Sequence, residues 1–255
     1  MVDFERLERE KDMLREKFLS AKPFPHIAID NFLKPGYAEK LYEKGAEMAK
    51  NPDANYKIKD PIFSKNRYQF PNYRVISDEF EEFYKDVTSE KFAELISYIT
   101  DEEVFFDKEF HGGGLHLGVE NAHLDMHADF NYHPKHEHWF RNLNLLLYLN
   151  KDWKPEYGGS LKLEDARTGE KTEVEPLLNR LAIMHCREYT LHGYDETHFP
   201  EGKARESIAI YAYTLHDKPV DRPRTTIWVD RSNPFKQLLA KAWLPAVAIK
   251  KKLFG

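Results

Sequence analysis

From residue 104 onward the chain is written in short apolar or alternating runs, and this restricts its fold more than any other feature. VFFDKEF (104–110), GLHLGV (114–119), LNLLLYLN (143–150), SLKLED (160–165), LAIMHC (181–186) and SIAIYAYT (207–214) are separated by Gly, Pro, Asn and Asp punctuation. No helical stretch stands between them, so closely spaced strands must pair with one another, as in a β-sandwich or jelly roll. Ahead of them the spacing of Phe4, Leu7, Leu14 and Phe18 predicts an amphipathic helix over 3–20. KPFPHIAIDNFL (22–33) reads as a short strand, PGYAEKLYEKGAEMAK (35–50) as a second helix, and 78–100 returns to helical patterning. The stretch holding Pro52, Pro61 and Pro71 reads as loop. The expectation is one mainly β domain with N-terminal helices: a helical part over 1–103, a β core over 104–216 and a basic amphipathic tail over 217–255.

At 255 residues such a domain can bury a substantial core. A net charge of −5 gives no general attraction for nucleic acid, so no nucleic-acid partner is expected. The single cysteine, Cys186, excludes an internal disulfide framework and suits a reducing compartment. The charged N-terminus has no apolar signal region, and no apolar run reaches the roughly 18 to 20 residues of a spanning helix. The expected location is the cytoplasm, with peripheral contact at a membrane as a variant taken up below. The oligomeric state is not legible.

HLDMHADFNYHP (123–134) holds two overlapping His-x-Asp patterns, His123/Asp125 and His127/Asp129. On a regular strand alternate residues share a face, so all four side chains are expected to project together. An imidazole and a carboxylate placed so, with a second imidazole from a distant strand, make the two-His, one-carboxylate face of non-haem Fe(II) oxygenases. Among 12 histidines and 43 acidic residues the pattern alone is weak, and spacing does not choose between the two pairs.

The order of segments after the motif adds weight. RNLNLLLYLNKDW (141–153), YGGSLKLED (157–165), LNRLAIMHC (178–186), YTLHGY (189–194) and ARESIAIYAYT (204–214) follow in turn. From about Gly112 to Thr214 the chain resembles the Fe(II)/2-oxoglutarate-dependent dioxygenases, specifically their prolyl 4-hydroxylase-like branch. The resemblance implies a double-stranded β-helix (jelly roll) core. MHADFN matches the family's ligand motif, which makes His127 and Asp129 the expected metal ligands, and LHGY makes His192 the third. His123 and Asp125 are then left to the mouth of the site. A carboxylate at Asp129, where similar halogenases carry Gly or Ala, implies hydroxylation rather than halogenation. The implied reactants are Fe(II), 2-oxoglutarate and O2, with room for ascorbate. The implied reaction is decarboxylation of 2-oxoglutarate to succinate and CO2 coupled to hydroxylation of an unactivated C–H.

The far carboxylate of 2-oxoglutarate needs a fixed cation inside the β core, and a buried arginine keeps its charge and grips a carboxylate with paired bonds. Arg205 and Ser207 match the family's Arg-x-Ser; Arg180 and Arg187 are the substitutes. Tyr148 matches the tyrosine that reaches the same carboxylate, and Asn144 is a further candidate on its face. Leu117 stands where the prolyl hydroxylases carry another pocket tyrosine, which weakens the transfer of prolyl preference. Gly158 and Gly159 allow a tight turn near the pocket, while His185 and Cys186 read as packing.

The substrate is expected to be a small molecule, glycan or peptidyl residue, with peptidyl-prolyl hydroxylation as the alternative enzyme and a non-catalytic metal-binding or sensing module as the alternative to an enzyme. Arg141 matches a position near the substrate entrance, and His133 and Trp139, in the loop NYHPKHEHWF (131–140), are further substrate candidates. The tail NPFKQLLAKAWLPAVAIKKKLFG (233–255) is basic and apolar, a composition that can lie in a membrane interface, although Pro245 would kink a continuous helix.

Overall fold

A computed structural model describes residues 1–60, 62–220, 225–229 and 237. The helices with bounds among the described residues are α1 (Phe4–Ser20), α2 (Tyr37–Lys50), α3 (Asp78–Val87) and α4 (Glu90–Thr100). The strands are β1 (His26–Ile29), β2 (Ser64–Phe70), β3 (Phe105–Phe106), β4 (Gly114–Ala128), β5 (Tyr132–His133), β6 (His136–Tyr148), β7 (Leu161–Asp165), β8 (Lys171–Val174), β9 (Arg180–His185), β10 (Thr190–Tyr194), β11 (Ala204–Leu215) and β12 (Ile227–Trp228).

Asp3 accepts from the Arg6 N–H and starts α1, whose apolar stripe buries Leu7, Leu14 and Phe18. Ser89 caps α4 in the same way through the Phe92 N–H, which splits the helical stretch at 78–100 into two helices. These helices cover one face of a twelve-stranded antiparallel sheet with the order β1-β9-β6-β11-β4-β10-β7-β8. The sheet curls into the barrel-like form of a double-stranded β-helix, as the segment order implied. Both faces of its central strands are covered, which is why LNLLLYLN reads as nearly continuous apolar sequence instead of alternating. Leu143, Leu145 and Leu147 of β6 and Ile208 and Ile210 of β11 join the core on the helix side. Asn144, Leu146, Ser207, Ala209 and Tyr211 lie on the opposite face of the same strands and line a cleft.

Three differences from the sequence reading bear on the cleft. The stretch read as loop contains β2, which pairs with β4; its residues SKNRYQF are mostly polar because one face meets the cleft. Ile227 and Trp228, assigned above to the tail, return to pair with Ala128 and His127. VFFDKEF holds only the two-residue β3, after which the Asp107 carboxylate accepts from the N–H groups of Glu109 and His111 and turns the chain. The basic apolar tail from residue 233 lies outside the described residues, save Gln237.

Candidate active site

The four side chains of HLDMHAD do not share a face. β10 pairs His192 with His127 but Tyr194 with Leu124, so three residues of one strand span four of the other, and the bulge shifts the alternation between the two His-x-Asp pairs. Gly193 sits opposite the bulge, where an added Cβ would come within 2.6 Å of the Leu124 carbonyl oxygen and 2.9 Å of that of Asp125. His123 and Asp125 therefore line a separate surface depression with Glu164, Lys171 and Asp195. His127, Asp129 and His192 line the cleft, which has a volume of about 180 Å³.

One ligand atom from each of His127, Asp129 and His192 can be chosen so that all three lie within 4.8 Å of one another. His127 Nδ1 lies 2.9 Å from the Asp125 carbonyl oxygen, which can only accept, so Nδ1 carries the proton and Nε2 presents a lone pair. That Nε2 is 3.7 Å from Asp129 Oδ1, and His192 Nε2 is 3.6 Å from Asp129 Oδ2. These separations are too long for hydrogen bonds. They suit donors around one ion, since metal–nitrogen bonds of roughly 2.1 Å hold neighbouring donors about 3 to 4 Å apart. The residues present thus fit a metal with one face left open.

Asp129 is held from behind by three further groups. Asn144 Nδ2 donates to its Oδ2 at 3.0 Å, Cys186 Sγ lies 3.9 Å from the same oxygen, and the Arg141 guanidinium is 3.3 Å from Oδ1. Burial alone would raise the carboxyl's pKa, but Arg141, His192 and His127 outweigh it and hold the group well below the usual carboxylate range. Arg141 is fully buried, with its guanidinium 3.6 Å from the centre of the Phe130 ring and 3.1 Å from that of Tyr211. It is not at the entrance, where the sequence put it, because β6 buries it behind the ligand carboxylate. Arg141→Met is expected to weaken metal binding about 10- to 100-fold, the usual effect of removing a partner behind a ligand. Titration with Mn(II) checks this, and unchanged affinity would deny Arg141 that role.

Arg205 points into the other part of the cleft. Its Nε donates to the Gly159 carbonyl at 2.7 Å, its Nη2 reaches the Tyr148 hydroxyl at 3.3 Å, and its guanidinium stacks 4.0 Å from the Tyr194 ring centre. Gly159 has φ +77°, and its missing side chain lets the turn touch the arginine. No carboxylate of the described residues pairs with Arg205. The two substitutes are occupied: Arg180 grips Asp30 with two bonds, and Arg187 pairs with Glu102. Ser207 lines the cleft one alternation from Arg205, whereas Asn144 is engaged by Asp129. Leu117 belongs to the helix-side core and brings no polar group.

His133 and Trp139 do not line the cleft. The segment 131–140, read as a loop, is instead a hairpin of β5 and β6. His133 is buried there, 3.3 Å from Asp107, and Trp139 packs on Phe105, His133 and His136. Sequence reasoning missed Arg67, Gln69, His116, Tyr194 and Trp228, all of which line the cleft. β2 and β12 carry three of them, and the sequence reading placed neither strand.

His116 and His192 are both pushed down to about 3, first by burial, then by the charge of Arg67 in one case and of His127 in the other. Unfolded histidine titrates near 6.5, so between about pH 6.5 and 3 the unfolded chain binds more protons and stability falls as pH falls. Each such group costs about 1.4 kcal/mol per pH unit in that window. The urea midpoint of the metal-free protein is expected to drop steeply from pH 6.5 to 5; a constant midpoint would contradict two buried neutral imidazoles.

Part of this chain is similar to known proteins. Residues 113–213 match the model of the 2OG-Fe(II) oxygenase superfamily. No curated protein matches the chain in sequence. Among solved structures, a prolyl 4-hydroxylase from Phytophthora capsici is similar at 19% identity and a TM-score of 0.56, over 83% of this chain and 65% of that one. The chain thus spans under two thirds of that enzyme. A prolyl hydroxylase from Trichoplax adhaerens, in complex with a hypoxia inducible factor peptide, matches at 15% identity and a TM-score of 0.58, over 82% and 91%. HygX from Streptomyces hygroscopicus, with nickel and 2-oxoglutarate bound, matches at 11% identity and a TM-score of 0.51, over 83% and 88%. At such identities these likenesses show the shared fold. The segment that resembles the 2OG-Fe(II) oxygenase superfamily, residues 113–213, carries His127, Asp129, His192 and Arg205.

Proposed function

We propose that His127, Asp129 and His192 hold Fe(II), that Arg205 and Tyr148 bind the far carboxylate of 2-oxoglutarate with Ser207 beside them, and that the enzyme hydroxylates an unactivated C–H of a small-molecule, glycan or peptidyl substrate. One observation carries this reading: the buried triad and a buried arginine with no carboxylate partner among the described residues line the same cleft. When bound, iron and 2-oxoglutarate supply the oxidation, which consumes O2 and releases succinate and CO2. The chain supplies placement. The Asp125 carbonyl fixes the His127 tautomer; Arg141 and Asn144 keep Asp129 ionised and oriented; Tyr148, Tyr194 and Gly159 hold the Arg205 fork in line. No protein nucleophile or general base is assigned. Ascorbate, as a reductant that rescues oxidised iron, belongs to this proposal as well.

The test is a panel of free amino acids, prolyl peptides and sugars incubated with protein, Fe(II), O2 and 2-oxoglutarate, followed by mass spectrometry. The reading expects one substrate class to gain a single oxygen in step with succinate. Oxygen insertion into a prolyl peptide alone would select the second reading, prolyl hydroxylation, which the fold shared with prolyl hydroxylases favours and Leu117 disfavours. Succinate with no oxygenated product from any class in the panel would count against the proposed substrates.

For location, the proposal is a cytoplasmic enzyme with peripheral membrane contact. Its support is sequence alone: Lys236, Lys241 and Lys250 to Lys252 stand among Phe235, Leu238, Trp243, Leu244 and Phe254. No helix of the described residues is long and apolar enough to cross a membrane. The full chain is expected to cosediment with anionic liposomes at low salt and a chain ending at Ser232 is not; equal binding by both would remove the idea.

A further inference from the structure

The cleft holds a second arginine that nothing above uses. In β4, Gly118 lies directly opposite Arg67 of β2 on one side and Arg205 of β11 on the other. Two residues along, His116 lies between Gln69 and Ser207 in the same way. Directly opposed residues on neighbouring strands share a face, and all six line the cleft. At one strand spacing each, the backbones of Arg67 and Arg205 are roughly 10 Å apart. The two cations thus flank a glycine and serve different parts of one cavity.

Arg67 is half-buried, and no carboxylate of the described residues forms an ion pair with it. Its side-chain partner among the described residues is His116: Arg67 Nη2 donates to His116 Nδ1 at 3.3 Å. A guanidinium cannot accept, so Nδ1 is the acceptor and the neutral ring carries its proton on Nε2. That Nε2–H is buried and has no hydrogen-bond partner among the described residues. A buried donor left without a partner is costly, as is a cation facing a cleft without a counter-charge. A ligand oxyanion answers both, because it accepts from the Arg67 fork and from His116 Nε2–H together.

Resting on the assignment of Arg205 to 2-oxoglutarate, we propose that the primary substrate carries a carboxylate or phosphate group, and that Arg67 and His116 bind it on the β2 side of the cleft. The enzyme is thereby an oxygenase of anionic substrates, anchored by the substrate's charge opposite the cosubstrate's.

The test uses the full chain loaded with Mn(II) and 2-oxoglutarate, with inorganic phosphate and acetate as probes of the two sources of charge. The binding is read by calorimetry and by the imidazole nitrogen signals of 15N-histidine-labelled protein. At least one probe is expected to bind saturably and to shift His116. Arg67→Gln is expected to weaken that binding about tenfold or more, the effect of losing a charged hydrogen bond, and Arg67→Lys is expected to retain most of it. The same Arg67→Gln protein keeps its 2-oxoglutarate affinity within about twofold, whereas Arg205→Gln loses it. Absence of saturable binding by either anion, or equal binding by wild type and Arg67→Gln, overturns the subsite. A fall in 2-oxoglutarate affinity in Arg67→Gln also overturns it, by giving Arg67 to the cosubstrate. Retained 2-oxoglutarate affinity in Arg205→Gln strikes the cosubstrate assignment instead, a separable result.

Discussion

Alanine at His127, Asp129 or His192 is expected to abolish Fe(II)-dependent turnover of 2-oxoglutarate, by more than the roughly 10- to 100-fold that partners behind a ligand are worth. Each loss removes one of three donors that lie within 4.8 Å of one another, and a two-donor face does not hold the ion. The fold should survive, because the three are clustered polar residues at a cleft and the apolar core lies on the other face of the sheet. His123→Ala and Asp125→Ala are the contrasting pair. They sit beyond the bulge in a separate depression, and their side chains can be lost with little effect on iron. The check is inductively coupled plasma analysis of bound iron beside succinate formation. Iron retained by the 127, 129 and 192 variants and lost by the 123 and 125 variants would move the centre to the other pair.

Arg205→Ala should act on the cosubstrate and spare the metal. Removing one member of a buried ion pair costs about 3 to 5 kcal/mol because the other charge is left uncompensated, which corresponds to a loss of affinity for 2-oxoglutarate from roughly 10²-fold to several thousand-fold. Mn(II) affinity measured without 2-oxoglutarate should stay near that of the wild type. Arg205→Lys should recover only part of the loss, since a point charge replaces the fork that meets Gly159, Tyr148 and the ligand together. Equal 2-oxoglutarate affinity in wild type and Arg205→Ala would put the anchor elsewhere, with Arg67 the next cation in the cleft.

The fold was legible where burial left a periodic signature. Phe4 to Phe18 repeats at helical spacing, and the runs from 143 to 150 and 207 to 214 are apolar because both faces of those strands are covered. The triad, Arg205 and Tyr148 were legible through the order of segments around them, and the cleft brings the triad and Arg205 to its walls while Tyr148 backs the arginine. Other features left no local signal. The bulge that turns His123 and Asp125 away depends on the pairing of β10 with β4, a non-local register that alternation along one strand cannot report. β2 is a polar strand between prolines, so Arg67 and Gln69 read as loop. Arg141 was placed near the substrate entrance by the resemblance alone, which does not report that it is fully buried with its carboxylate partner. A hint was available for β12: the apolar run Ile227-Trp228-Val229 stands in otherwise polar sequence, and Trp228 stacks on Phe63 at 4.6 Å beside His127.

The most direct test of the central claim is succinate formation by the purified protein supplied with 2-oxoglutarate, Fe(II) and O2, with each omitted in turn and Asp129→Ala run alongside. The account predicts succinate only when all three are present, in a one-to-one ratio with CO2, and none above background from Asp129→Ala. Succinate formed without added or bound iron, or at the same rate by Asp129→Ala, would contradict it.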